Sequence, residues 1–474
     1  MKKQAIVWFR NDLRIHDNES LTEAMEAAEN VLPVYIFDDR VFKSRTKFGF
    51  KKTGVFRAKF IIESIIDLRN SLASIGLPLI IRSGITENII YELAREIKSS
   101  WVFCNRERTQ EEVNIQDALE RKLWTIGQEV RYNRGKMLYY TADLPFPVTQ
   151  TPDVFSQFRK EVEKYIPVRE PLPVPSGHTY YNMDVDPGAI PHLRDLGFKK
   201  EEIEAATACP YRGGESAAIS RLKHYFWEVE GLSNYKETRN QLLGLDYSSK
   251  FSPYLAQGCL SPKFIYAELK RYESKVKKNN STYWLFFELL WRDFFRLMGK
   301  KHGNKIFQIR GPKNIDKSWT EDSEAFNAWA TGNTGIPFID ANMRELYSTG
   351  FMSNRGRQNV ASFLVNDLGI NWLLGAEYFE SLLVDYDPCS NYGNWNYLAG
   401  VGSDPRENRH FNILSQAKRY DPEGAYIKHW LPELSKVPPE LLFSPFQMSE
   451  EQQIKYEVAI GKEYPEPILD FDWV

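Results

Sequence analysis

The chain has 474 residues, a formal net charge of −2, 42% hydrophobic residues and a mean hydropathy of −0.47. A chain of this length forms two or more domains with substantial cores, and its composition is that of an ordinary soluble globular protein. The near-neutral charge excludes a generally basic nucleic-acid binder and leaves such contacts to a local patch.

The four cysteines (Cys104, Cys209, Cys259, Cys389) are far apart and contain no Cys-x-x-Cys pair, so they read as reduced thiols of a cytosolic protein. The apolar run Ala5–Phe9 ends at Arg10, too short for a signal peptide, and no run approaches a membrane span. A cytoplasmic protein with no membrane partner is expected. The seven histidines form no metal spacing, and no Ser–His–Asp signature is present, so hydrolytic and metal chemistry find no support.

In chain order, strands are predicted at Ala5–Phe9, Val31–Phe37, Leu77–Arg82, Trp101–Cys104 and Glu129–Asn133. Helical patterns lie between them near Ser20–Glu29, Phe56–Ile75, Glu87–Lys98 and Glu111–Thr125, with Asn18 or Ser20 able to cap the first. Strand–helix alternation predicts a doubly wound parallel sheet whose ligands bind beyond the strand ends, near Arg10–Asn18 and Asn105–Glu112. No G-x-G-x-x-G and no Walker loop occurs, which argues against a standard NAD or ATP site.

Nine prolines between Pro145 and Pro191 surround one helical segment at Asp153–Tyr165 and predict a connector draped over the surface. From about Glu215 the pattern is helical. The last thirty or so residues, rich in Pro and Glu, read as a peripheral tail.

Ser248-Ser249-Lys250-Phe251-Ser252-Pro253 precedes a short helix, with Ser252 as N-cap and Pro253 at the first helical position. It is either an anion site fit for a pyrophosphate or simply a capped helix. Trp284–Arg296 is a strongly apolar helix in which Glu288 and Arg292 form an i, i+4 pair or Glu288 faces a cavity. The run Arg292–Lys317 carries eight Lys/Arg against two Asp, a solvated face or a basic patch.

From Asn354 to Arg406, Arg355, Arg357, Asp385, Asp387 and Asn391 interrupt apolar helical runs (Val360–Leu368, Trp372–Val384). Charges are rarely buried unless paired or bound to something. The cluster is either a buried ion-pair network or the lining of a polar ligand site. Trp319, Trp372 and Trp395 pass individually for core aromatics.

Several long strings resemble, in order, the photolyase/cryptochrome family over essentially the whole length. They are VWFRNDLRIHDN (Val7–Asn18), ELLWRDFFR, TGIPFIDANMREL (Thr334–Leu346), FMSNRGRQNVASFLVNDL and DYDPCSNYGNWNY. The connector segment TPDVFSQFRKEVE and the string FMSNRGRQNV resemble the DASH cryptochromes in particular. The resemblance implies an α/β N-terminal antenna-binding domain (1–133), an interdomain connector (134–210) and an all-α FAD-binding catalytic domain (211–474).

By that resemblance, Tyr235 and the loop Ser248, Ser249, Lys250, Phe251 and Ser252 would hold the FAD phosphates. Arg292, Asn354 and Tyr386 would complete the cofactor shell. Arg357 would pair with Asp385 beside the isoalloxazine, Asp387 would bond the flavin edge, and Asn391 would face N5 with an amide that cannot protonate it. Trp395, Trp372 and Trp319 align with the family's electron-relay chain. Glu288, Trp291, Asn354 and Arg355 match residues that contact a cyclobutane pyrimidine dimer, while Gln358 and Tyr397 replace the Met and Trp of dimer-repairing photolyases and make the pocket more polar.

Stacking contributes about 1–3 kcal/mol per base and flipping from duplex costs a few kcal/mol, so the polar pocket implies repair mainly in single-stranded or looped DNA. Lys300, Lys301, Lys305 and Arg310 would then serve the DNA backbone. Glu111 or Glu112 would hold an antenna, expected to be 5,10-methenyltetrahydrofolate. The competing function is a blue-light photoreceptor, against which the short C-terminal segment argues. A (6-4) photoproduct lyase would want a histidine pair where Ser353 lies. A monomer is expected.

Overall fold

The computed structural model describes residues 3–176, 184–403 and 410–469; Arg406, the end of the charged segment, lies outside them. Five parallel strands, β1 (Gln4–Phe9), β2 (Asn30–Asp38), β3 (Ile80–Gly84), β4 (Trp101–Asn105) and β5 (Glu129–Asn133), stand in the order β3-β2-β1-β4-β5. Alternate residues of β1 serve opposite faces, as a two-residue period requires. Ala5, Val7 and Phe9 join one core, while Ile6 and Trp8 join another with Ile90, Leu93, Leu119 and Leu123. All nine residues of β2 are buried, as expected for a strand covered on both faces. β3 starts three residues later than expected, because Leu77 still closes the preceding helix turn through its N–H to Leu72 and Pro78 has no N–H to donate.

The core containing Val7 and Phe9 does not stop at the sheet. It continues through Leu255, Leu290 and Phe294 of the helical region, so the two regions share apolar interior. A second core, around Trp329, Phe338, Trp372 and Trp395, belongs to the helical region alone.

The loop Arg10–Asn18 is a fastening between the two regions, and its Asn11 also lines an open cavity between them. Leu13 donates to the Gln257 carbonyl at 3.2 Å, and Glu215 accepts from the Ile15 and His16 N–H groups at 2.8 and 3.1 Å. Arg14, 1% exposed, donates to the carbonyls of His16, Asp17, Gly135 and Gly258. Asn18 caps the helix Glu19–Ala27 by accepting from Leu21 N–H. The motif is polar because it satisfies backbone groups at a buried junction.

Two further expectations are corrected. The connector is not merely draped: its helix Phe155–Tyr165 buries Phe158 and Val162 completely, and Phe155 stacks on Trp291 at 3.7 Å. The C-terminal segment is docked. Tyr464 is fully buried with its hydroxyl donating to Asp340 at 2.6 Å, and Ile468 N–H reaches the Thr334 carbonyl at 3.0 Å.

The helix Asn280–His302 is the spine of the helical region. Its start is fixed by reciprocal capping between Asn279 and Thr282, and it carries Glu288, Trp291, Arg292 and Arg296 along its length.

Candidate functional site

The loop 247–253, the spine helix and the helices Asn354–Ser362 and Pro388–Leu398 enclose a cavity with about 1130 Å³ of open space. Of the residues expected at a cofactor, Tyr235, Ser248, Ser249, Lys250, Phe251, Ser252, Asn354, Arg357, Asp385, Tyr386, Asp387 and Asn391 all line it.

One end is built for an anion. Arg221 draws the carbonyls of Ser248 and Ser249 toward itself at 2.9 and 3.0 Å. Among the described hydrogen bonds, none uses the N–H of Ser249, Lys250, Phe251 or Ser252. Unpaired N–H groups at a helix start attract phosphate. The cap itself differs from the expectation: the helix is Ser252–Gln257, so Phe251 takes the N-cap position and no side chain caps it. Lys250 takes a left-handed φ of 57° and lies over the rings of Tyr247 (3.5 Å) and Phe351 (4.5 Å). Burial lowers its ammonium to about 7. Among the described residues the Tyr247 hydroxyl, also at this wall, is buried without a partner.

The other side carries the carboxylates. Arg357 donates to Asp385 Oδ2 at 2.8 Å and to the Met352 carbonyl at 2.9 Å, and among the described residues the buried Asp385 Oδ1 has no partner. Asn391 donates its amide to the Ala376 carbonyl at 3.0 Å. Asp387 accepts from Ser390 N–H at 2.8 Å and from Arg296 at 3.0 Å. Burial opposes the ionised form of Asp387, but Arg296 and Arg292 overcome it and hold its carboxyl below the usual range. Arg292 itself is not part of the lining. Its guanidinium donates to the Lys136 and Leu255 carbonyls at 2.7 and 3.1 Å, so it braces the wall from outside.

At the mouth, Glu288, Asn354, Gln358 and Asn394 line the cavity. The i, i+4 pair of Glu288 with Arg292 does not form. Glu288 pairs with Arg239, a lining residue that sequence reasoning missed, forty-nine positions away. Trp291, Arg355 and Tyr397 lie beside the mouth rather than in the lining. Trp291 presents its edge to Tyr397 at 6.0 Å, and Arg355 lies over Tyr420 at 4.7 Å.

Trp395 forms part of the cavity wall, Trp372 is fully buried with its indole N–H on the Ile309 carbonyl at 3.0 Å, and Trp319 is half-buried at the edge of the same core. Trp329, also missed, stands edge-on to Trp395 at 6.4 Å. Of the basic stretch, Arg292 and Arg296 are spent inside the protein, Lys301 pairs with Asp153 and Arg310 with Asp316. Lys300 and Lys305 remain as its open cations among the described residues.

A second cavity, with about 1410 Å³ of open space, lies between the sheet region and the helical region. Glu111 and Glu112 line it with Lys52, Arg57, Glu377, Glu380 and Tyr386. Its polar groups have hydrogen-bond partners: Lys52 pairs with Glu111, Arg57 holds the Glu380 and Leu383 carbonyls, and Glu112 accepts from the Thr109 hydroxyl at 2.7 Å. Tyr386 is a wall of both cavities. Among the described residues no group of side chains could hold a metal, and no helix is long and apolar enough to cross a membrane.

The family model described as the FAD binding domain of DNA photolyase matches residues 284–473, and that described as DNA photolyase matches 5–176. Cryptochrome DASH of Gloeobacter violaceus is 48% identical over 99% of this chain and 93% of its own length. Cryptochrome DASH of Xenopus laevis is 46% identical over 98% and 89%. The crystal structure of a Synechocystis sp. cryptochrome superposes with a TM-score of 0.94 at 45% identity, covering 99% of this chain and 97% of that one. A class III photolyase from Agrobacterium tumefaciens gives 0.88 at 30% identity over 99% and 95%. The cavity suits FAD on its own terms, having an anion cradle at one end and unpaired Tyr247 and Asp385 oxygens on its walls. The chain belongs to the photolyase/cryptochrome family, in its cryptochrome DASH branch.

Proposed function

We propose that this protein is a light-driven lyase that splits cyclobutane pyrimidine dimers, acting mainly on single-stranded or looped DNA. Bound, reduced FAD would supply the photoexcited electron. Around it, the cradle of Ser248–Ser252 with Tyr235 and Lys250 holds the anionic end, while Arg357, Asp385, Asp387 and Asn391 fix the other. Trp395, Trp372 and Trp319 return an electron from the rim to the cavity, graded from buried to half-buried. Glu288, Asn354 and Gln358 receive the flipped dimer, with Trp291, Arg355 and Tyr397 around the mouth. Lys300 and Lys305 offer the DNA backbone two cations, fewer than the sequence promised.

The observation that carries the strand preference is Trp291. One of its faces is already stacked on Phe155, 3.7 Å away and 9° from parallel, and the lining beside it is polar. With stacking worth about 1–3 kcal/mol per base, such a mouth does not offset the few kcal/mol needed to extract a dimer from duplex. A folate antenna, 5,10-methenyltetrahydrofolate, is assigned to the second cavity at Glu111 and Glu112. The ion pair of Glu288 with Arg239 supports a second reading, a blue-light photoreceptor with little repair, because it occupies the carboxylate meant for the dimer.

The test is blue-light repair by the reduced protein of one thymine dimer, presented in a single strand and in the matched duplex. Repair of the single strand alone is expected. Equal repair of both overturns the strand preference, and repair of neither with photoreducible flavin favours the photoreceptor.

A further inference from the structure

Behind the flavin cavity runs a chain of four buried charges that the functional reading does not use. Asp387 lines the cavity; Arg296 bridges its Oδ2 at 3.0 Å to Glu107 Oε2 at 3.2 Å; Glu107 in turn pairs with Lys136. Side-chain exposures are 8%, 4%, 3% and 5% in that order. Two of the four come from the sheet region. Glu107 stands two residues past the end of β4 and Lys136 three residues past the end of β5, neighbouring strands in register.

Burying four ions gives a poor strut, because desolvation takes back most of the Coulomb gain and apolar side chains of similar volume hold as well or better. The signs alternate outward from the cavity: minus, plus, minus, plus. Burial works against ionisation of Glu107, yet Lys136, Arg296 and Arg10 hold its carboxyl at about 2. Arg10, Arg108, Arg292, Asp293 and Glu112 are further charged groups facing the chain.

We propose that Arg296, Glu107 and Lys136 are positioning residues that set the reduction potential of bound FAD by tuning the negative charge Asp387 presents to it. This rests on FAD occupying the cavity. Reduction adds negative charge to the flavin, so a carboxylate beside it opposes reduction and the cation shared with that carboxylate favours it. Glu107 competes with Asp387 for Arg296, and Lys136 competes with Arg296 for Glu107.

Neutralising each link in turn therefore moves the potential in alternating directions. Glu107→Gln frees Arg296 for Asp387 and raises the potential. Lys136→Met leaves Glu107 to draw harder on Arg296 and lowers it by less. Glu107→Gln with Lys136→Met returns it close to the starting value.

The experiment is a spectroscopic redox titration of FAD-reconstituted protein, with FAD stoichiometry measured on each variant first. For Glu107→Gln a tenfold change in the reduced-to-oxidised ratio at fixed ambient potential is expected, ~30 mV for a two-electron couple. Opposite shifts in the two single variants and cancellation in the double variant establish the inference. Unchanged potentials, or shifts of the same sign with stoichiometric FAD, overturn it, since a structural role would loosen the cofactor in every variant alike. Failure of the unmodified protein to take up FAD overturns the functional reading itself.

Discussion

The two cavities are built on opposite plans. Among the described residues, the first leaves polar groups unanswered: the Tyr247 hydroxyl, one Asp385 oxygen and four backbone N–H groups, beside an ammonium lying over two ring faces. The second gives its carboxylates partners, Glu111 with Lys52 and Glu112 with the Thr109 hydroxyl. Unsatisfied buried groups cost free energy unless a ligand meets them, so the first cavity calls for an occupant more strongly than the second. The lesson is that two cavities of similar size differ in what they leave unpaired.

The sharpest way to break this contrast is Asp385→Asn, which strands Arg357 beside the cavity. A hydrogen bond to a charged group is worth about 1.5–3 kcal/mol, so losing the one Asp385 offers a ligand should lower FAD affinity by about 10- to 100-fold in a fluorescence titration. Retention near the original affinity would mean that the unpaired oxygen was not waiting for a ligand.

A smaller effect concerns pH. Burial holds Lys250 at about 7, against 10.5 when exposed. Between those values the unfolded chain binds a proton that the empty folded protein does not, so this group makes the empty protein more stable as pH rises through the window. A pyrophosphate in the cradle returns the proton, so FAD affinity should fall over the same range by at most about tenfold per pH unit. Lys250→Met should flatten that slope, as read from affinity titrations at stepped pH.

The smallest effect is expected in the second cavity. Glu112→Gln should weaken a reduced-folate chromophore about fivefold, one hydrogen bond's worth, and leave FAD affinity untouched. Equal losses at both cavities would show that they are one site in energetic terms, joined through Tyr386.

What the sequence disclosed and what it hid follow the range of each interaction. The sheet was legible because strand alternation and the Asn18 cap are local, and Glu129–Asn133 is placed to the residue. The wall of the first cavity was marked in the sequence because charges set in apolar helices line it, as Arg357 and Asp385 do. Hidden were the partners. Helical spacing offers Glu288 only Arg292, whereas the folded chain brings Arg239 to it and gives Arg292 to two carbonyls. Nothing in RERTQ announces that Glu107 will meet Arg296, 189 positions on. The C-terminal segment misled because its Pro and Glu content suggests solvation, while the buried Tyr464 hydroxyl and the Ile468 N–H anchor it.

The Arg14 fastening has a consequence for anyone who would divide this protein. A fragment holding only the helical region would expose the Gln257 and Gly258 carbonyls and leave Glu215 without its two N–H donors. It would also open the shared core at Leu255, Leu290 and Phe294. The helical half is therefore no portable cassette. Chimeras that exchange the sheet region need to carry the VWFRNDLRIHDN loop with the helical half's own complement, or the graft line should run elsewhere.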